Sequence, residues 1–275
     1  MSILLTPAIQ PSEIARRLVQ ARRDRLALAT FPGDLPLTLA AAYQCQDLGI
    51  AQMSERIVGW KVGGIPAQWQ AQFGETRLLG PIFSSNLRLA ESAVETPFPI
   101  IQGGFAAVEA EIVFRLGQDP PALRAHMDAH SAIALVDAVF VGVETAGSPL
   151  AQINVLGPLA VVSDFGNNFG LIVGAQISGP LDSREQIPCL TLIDDVVVGR
   201  YVLTEGLNAP AQALAFALRR TAERQWPLRC GDFISTGALT GIHDIRESQQ
   251  ARICMGAHPA IVCRAYVGSR IEPQR

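Results

Sequence analysis

Apolar and polar positions along the chain change rhythm near residue 95. Before that point the segment opened by Pro11-Ser12 reads as a helix running through Val19 to Arg23, and Pro36 opens a second that runs through Ala40-Ala41-Ala42 to Met53. Residues 59–64 then have strand character and end in a glycine turn, and Pro66 begins a short helix to Phe73 that Gly74 stops. Beyond Glu95 short β-like runs are separated by Gly, Pro and Asn. The pattern predicts strands over 107–116, 138–144, 160–163, 170–173, 190–198, 233–235 and 260–267, and helices only over 122–136 and 209–223. The expected class is α+β. A helical lead-in bearing Lys61 spans 1–90 and a mainly β domain spans 91–275, with a soft boundary and no long linker, so the two can form one unit.

Composition narrows the picture. Of 275 residues, 49% are hydrophobic and 17% charged, which describes a packed globular chain rather than a disordered one. Arginines cluster at Arg16-Arg17 and Arg22-Arg23-Asp24-Arg25, where Glu13 and Asp24 interrupt them and a solvated helix face is expected. A formal net charge of -3 gives no general attraction for nucleic acid. Asp137 and Glu144 break the best apolar run, so no membrane span is expected. Five cysteines without CxxC spacing suit a reducing compartment, by default the cytoplasm.

The candidate chemistry is acidic. In the predicted strand over 107–116, alternation puts Glu109 and Glu111 on one face, among apolar neighbours. Either that face lies in water, or the two carboxylates share a proton or a cation. Oxygen ligands without nearby Cys or His point to Mg²⁺ or Mn²⁺, and less to Ca²⁺. Glu144 ends the apolar run over 138–143 ahead of a Gly147-Ser148-Pro149 turn, where functional groups are often mounted. Lys61, between Trp60 and Val62 and followed by Gly63-Gly64, becomes a proton-transfer candidate if burial lowers its pKa. His126 and His130 share a face of the predicted helix but lack a third ligand. No glycine-rich stretch has the spacing of a nucleotide-binding loop, so no nucleotide cofactor is expected.

Five short motifs occur in order: Gly59-Trp60-Lys61-Val62-Gly63, Gly80-Pro81-Ile82-Phe83, Val108-Glu109-Ala110-Glu111-Ile112, Val143-Glu144 with Ser148, and Gly231-Asp232-Phe233-Ile234-Ser235-Thr236-Gly237. Together they resemble the hydratase/decarboxylase branch of the fumarylacetoacetate hydrolase superfamily, over about residues 12–267. The resemblance implies a mixed β-roll or barrel carrying a divalent metal on Glu109, Glu111 and Glu144, with Lys61 in the active site. It also places Gly63, Asn167, Asn168, Ser235, Thr236 and Gly237 about the substrate. Relatives often carry an Asp just before the second motif, where this chain has Thr76-Arg77-Leu78-Leu79, and Gly166-Asn167-Asn168 replaces a segment that often contains Ser. The implied reaction is metal-dependent hydration of a 2-hydroxy-2,4-dienoate or 2-oxo-4-enoate to a 4-hydroxy-2-oxo acid, as in aromatic-compound catabolism. Decarboxylation of a 4-oxalocrotonate-type acid, cleavage of an acylpyruvate or β-diketone, and non-catalytic binding of a 2-oxo acid stay open. The family habit further implies a homo-oligomer built from dimers.

Overall fold

A computed structural model describes residues 10–122, 126–178 and 186–268. Its elements are α1 (Pro11–Asp24), α2 (Leu39–Ile50), β1 (Ile57–Gly64), α3 (Ala67–Phe73), β2 (Arg77–Phe83), β3 (Leu87–Leu89), β4 (Glu95–Ile100) and β5 (Phe105–Leu116). There follow α4 (Ala129–Ile133), β6 (Val136–Ser148), α5 (Ile153–Leu156), α6 (Pro158–Ser163), β7 (Asn168–Gln176), β8 (Ile187–Ile193) and β9 (Val196–Leu203). The last are α7 (Asn208–Glu223), β10 (Phe233–Ser235), β11 (His243–Asp244), β12 (Gln250–Met255) and β13 (Ile261–Val267).

Two mixed sheets make up an α+β roll. The larger is ordered β2-β1-β10-β5-β6-β7-β3, with β11 also pairing β5, and the smaller is β4-β13-β12-β8-β9. Pairing is antiparallel except for β1 with β10, β3 with β7 and β4 with β13. The long β5 and β6 lie at the centre of the larger sheet, and β5 is buried at every position from Ala106 to Phe114. Such a strand reads as a continuous apolar run because neither face meets water. The helices cover the sheet: α1 packs on α2, α2 on α6, and α7 on α4, β1 and β2.

Several expectations are corrected. Residues 160–163 are helical, within α6, although two valines gave them strand character. Pro158 occupies the first turn, and Gly157 accepts from the amides of Ala160 and Val161. The expected single strand over 190–198 is the hairpin of β8 and β9, turned by Asp194 and Asp195 at φ 48° and 62°. Two left-handed central residues make the turn hairpins favour, but Asp-Asp lacks the glycine that usually advertises it. Within 122–136, residues 123–125 lie outside the description; the helix covers only Ala129–Ile133, Val136 already opens β6, and His126 precedes the helix. Arg22 is not on a solvated face but 6% exposed in the core.

Candidate metal centre

Glu109 and Glu111 alternate onto one face of β5, and register places Glu144 of β6 directly opposite Glu109. One oxygen from each lies within 4.8 Å of the others, and the three residues are 5%, 0% and 0% exposed. The acidic face therefore does not lie in water. Lys61 reaches the cluster because β1 pairs with β10 at Ser235, and β10 in turn pairs with β5. Its Nζ lies 3.2 Å from Glu144 Oε1.

Electrostatics follow from this crowding. Burial first, then the charge of Glu144, pushes Glu109 up to about 8 against the pull of Lys61. Burial, then Glu144 and Glu109, hold Glu111 well above the carboxylate range, although Ser235 Oγ and the Gly237 amide (2.9 Å) donate to its Oε2. For Lys61 burial works against the ammonium, but Glu144, Glu109 and Glu111 outweigh it and the pKa rises. The expected lowering is thus corrected: three neighbouring carboxylates make Lys61 a holder of its proton.

The geometry suits a hard dication. Glu144 Oε1 accepts from Lys61 and from Asn168 Nδ2 at 3.1 Å, while Glu144 Oε2 and Glu111 Oε1 are buried without a hydrogen-bond partner. Orphaned buried carboxylate oxygens are costly unless a cation faces them. Three carboxylates less one ammonium leave two negative charges when all are ionised, matching a divalent ion. Oxygens around Mg²⁺ or Mn²⁺, bound at about 2.1 Å, sit roughly 3–4 Å apart, so the cluster needs little contraction. Glu109, Glu111 and Glu144 form an acidic cluster able to hold a divalent metal ion.

Beside it opens a cavity of about 400 Å³. Lys61, Glu109 and Asn167 supply polar groups, Gly63 and Gly64 a stretch of bare backbone, and Leu78, Val161, Ala238 and Ile242 apolar wall. Asn167 Oδ1 is buried there without a partner. Asn168 instead stands behind Glu144. Ser235 and Gly237 direct their donors to Glu111, and the Thr236 hydroxyl donates to the Ile112 carbonyl at 2.8 Å. Sequence reasoning missed the apolar wall, for which these scattered residues carry no common motif. It also missed a buried network of Arg22, Asp164 and Ser148. Arg22 follows Leu18 by four residues on the buried stripe of α1, and helical periodicity was the available signal.

No family model matches the chain. A 4-oxalocrotonate decarboxylase from Pseudomonas sp is 27% identical over 244 residues, which are 88% of this chain and 92% of that protein. The structure of 4-oxalocrotonate decarboxylase from Pseudomonas putida G7, complexed with calcium and acetate, superposes with a TM-score of 0.74 at 20% identity, over 93% of this chain and 97% of that one. Fumarylpyruvate hydrolase from Pseudomonas aeruginosa, in complex with Mn²⁺ and pyruvate, gives a TM-score of 0.55 at 15% identity, over 79% and 93% of the two chains. The fold is an α+β roll of the type these solved structures share. In sequence and fold the chain is similar to members of the fumarylacetoacetate hydrolase superfamily.

Proposed function

We propose that the protein is a metal-dependent hydro-lyase that adds water to a small 2-hydroxy-2,4-dienoate, or its 2-oxo-4-enoate tautomer, to give a 4-hydroxy-2-oxo acid. One observation carries this reading: a cavity beside the acidic cluster, lined by Glu109, by a single cation, Lys61, and by aliphatic side chains. Such a site suits a molecule with one carboxylate and a short apolar tail, because no second cation among the described residues lines it.

Glu109, Glu111 and Glu144 would hold Mg²⁺ or Mn²⁺, which when bound supplies Lewis acidity toward a 2-oxo carboxylate. Lys61, which lines the cavity, would deliver a proton to C5 of the dienol as the 2-hydroxyl gives up its own proton to water in the cavity, from which the lysine is recharged. That leaves a C3–C4 double bond conjugated with the 2-oxo group; the oxygen of water then adds at C4, one of its protons is released, and a proton is taken up at C3. Asn167, whose side-chain oxygen has no protein partner, is placed to accept a hydrogen bond from that water. Gly63 lets substrate approach the backbone, while Ser235, Thr236, Gly237 and Asn168 act from behind as the frame of the cluster.

A second reading is decarboxylation. It is favoured by near end-to-end similarity to 4-oxalocrotonate decarboxylase and by an apolar wall that would desolvate a departing carboxylate. Hydrolytic cleavage is less well served, since no histidine among the described residues lines the cavity to activate water. We further infer a homo-oligomer built from dimers, working in the cytoplasm, where five unpaired cysteines stay reduced.

The test is product analysis. Purified protein with Mg²⁺ or Mn²⁺ is offered 2-hydroxypenta-2,4-dienoate and, separately, 4-oxalocrotonate. Loss of the dienoate absorbance with 4-hydroxy-2-oxopentanoate in the proton spectrum supports hydration. CO₂ release from the diacid alone replaces it with decarboxylation, and binding of both acids without turnover of either leaves only a 2-oxo acid binding protein.

A further inference from the structure

Arg22 stands on α1, far along the chain from the acidic cluster, yet its guanidinium is buried and its donors converge on one place. Nε donates to Asp164 Oδ1 (2.5 Å), Nη1 to the Asn168 carbonyl (2.8 Å), and Nη2 to the carbonyls of Gly147 (2.9 Å) and Asp164 (3.0 Å). Ser148 Oγ donates to the other oxygen of Asp164 and accepts from the Leu150 amide. One side chain thus clamps both ends of the segment 164–168 and the end of β6, three residues beyond Glu144.

That segment does not hold its shape by preference. Phe165, Gly166 and Asn167 all have left-handed backbone, at φ 55°, 63° and 64°, and for two of them a Cβ makes this conformation unfavourable. Gly166 lies so close to β2 that an added Cβ would stand 2.8 Å from the Gly80 Cα. The segment delivers Asn167 to the cavity wall and Asn168 to Glu144. Because Asn168 Nδ2 and Lys61 both engage Glu144 Oε1, the unpartnered Oε2 is the oxygen left for a cation.

We propose that Arg22 is a positioning residue for metal binding, acting through the Asp164–Asn168 segment on the rotamer of Glu144. The contacts run from Arg22 to the Asn168 backbone and from the Asn168 side chain to Glu144, which would hold the ion. The inference rests on the reading that Glu109, Glu111 and Glu144 hold a dication, and it assigns the N-terminal helix a part in the site rather than only in packing.

The experiment measures Mn²⁺ affinity of the purified full-length chain by calorimetry, without substrate, for wild type, Arg22→Gln, Asn168→Ala and the double variant, with circular dichroism as the check on folding. Arg22→Gln and Asn168→Ala are each expected to weaken Mn²⁺ binding at least tenfold. In the double variant the two losses should not multiply, because both act through one contact. Arg22→Lys should recover part of the loss. If Arg22→Gln does not fold, Asp164→Asn, which keeps the side-chain volume and the packing of α1, carries the same comparison with Asn168→Ala. Affinity within twofold of wild type in a folded variant, or losses that multiply, would overturn the proposal. A wild type that binds no Mn²⁺ would sink the metal reading and this inference with it, whereas tight wild-type binding with indifferent variants sinks the inference alone.

Discussion

Three buried glutamates repel one another, so each contributes with opposite sign to the stability of the metal-free fold and to metal affinity. Glu109 shows this most simply because its ionisation falls in an accessible range. At pH 9, above its value of about 8, the metal-free protein carries a desolvated charge opposite Glu144. Glu109→Gln should then raise the melting temperature of chelator-treated protein by about 2–4 °C, the effect of roughly 1 kcal/mol in a chain of this size. At pH 4, below both the folded and the unfolded values, the same variant should melt close to wild type; a gain equal at both pH values would show that the charge is not the cause. In calorimetry at pH 9 it should weaken Mg²⁺ binding. Lys61 is expected to behave in the reverse way. Lys61→Met removes a competitor for Glu144 and, under the proposed hydration, the group that would donate the proton, so turnover should fall by on the order of 10²–10⁴ while Mn²⁺ affinity is kept or increased. Loss of metal affinity in Lys61→Met would make the lysine a structural counter-ion rather than a proton carrier.

At the level of elements, glycines record where two backbones must touch. A Cβ on Gly80 of β2 would stand 2.2 Å from the Phe165 carbonyl oxygen, whereas one on Gly64 at the end of β1 meets nothing within 4 Å. Gly80→Ala should therefore cost about 1–3 kcal/mol and displace the turn that carries Asn167, while Gly64→Ala stays within roughly 0.5 kcal/mol of wild type in urea unfolding. Equal stability of the two would mean that the strand and turn do not pack as described. The same elements show what can be read from sequence. Alternation placed Glu109 and Glu111 on one face, Gly74 ended α3, and residues 233–235 stood out as a strand, because each signal is local. β2 and β12 escaped because a proline interrupts one and mixed polar residues the other, and only neighbours in the sheet stabilise them. Residues 160–163 misled because valines in a buried helix and in a strand give the same short apolar run. The register that sets Glu144 across from Glu109 has no local signature at all.

On the scale of the whole molecule, the site exists only when the larger sheet is assembled. Lys61, Glu109, Glu144 and Ser235 come from β1, β5, β6 and β10, strands adjacent in space but far apart along the chain. A cation held by this cluster binds the native fold and not the unfolded chain, so its affinity appears directly as global stability. The sign with pH follows from Glu109, whose folded value of about 8 lies above the 4.5 of an unperturbed carboxyl. Its contribution to the metal-free protein is fully present below about 4.5 and is lost as pH rises through 8, because the unfolded chain gives up the proton first. Glu111, raised by the same burial, adds in the same direction. Metal binding needs those protons gone, so affinity climbs over the window in which the metal-free fold weakens. Melting curves between pH 6 and 8.5 should accordingly diverge. Chelator-treated protein loses stability as pH rises, Mg²⁺-saturated protein holds it, and each tenfold gain in affinity widens the separation by about 1.4 kcal/mol. A separation that stays constant or narrows toward pH 8.5 would show that the ion is held somewhere other than among these three carboxylates.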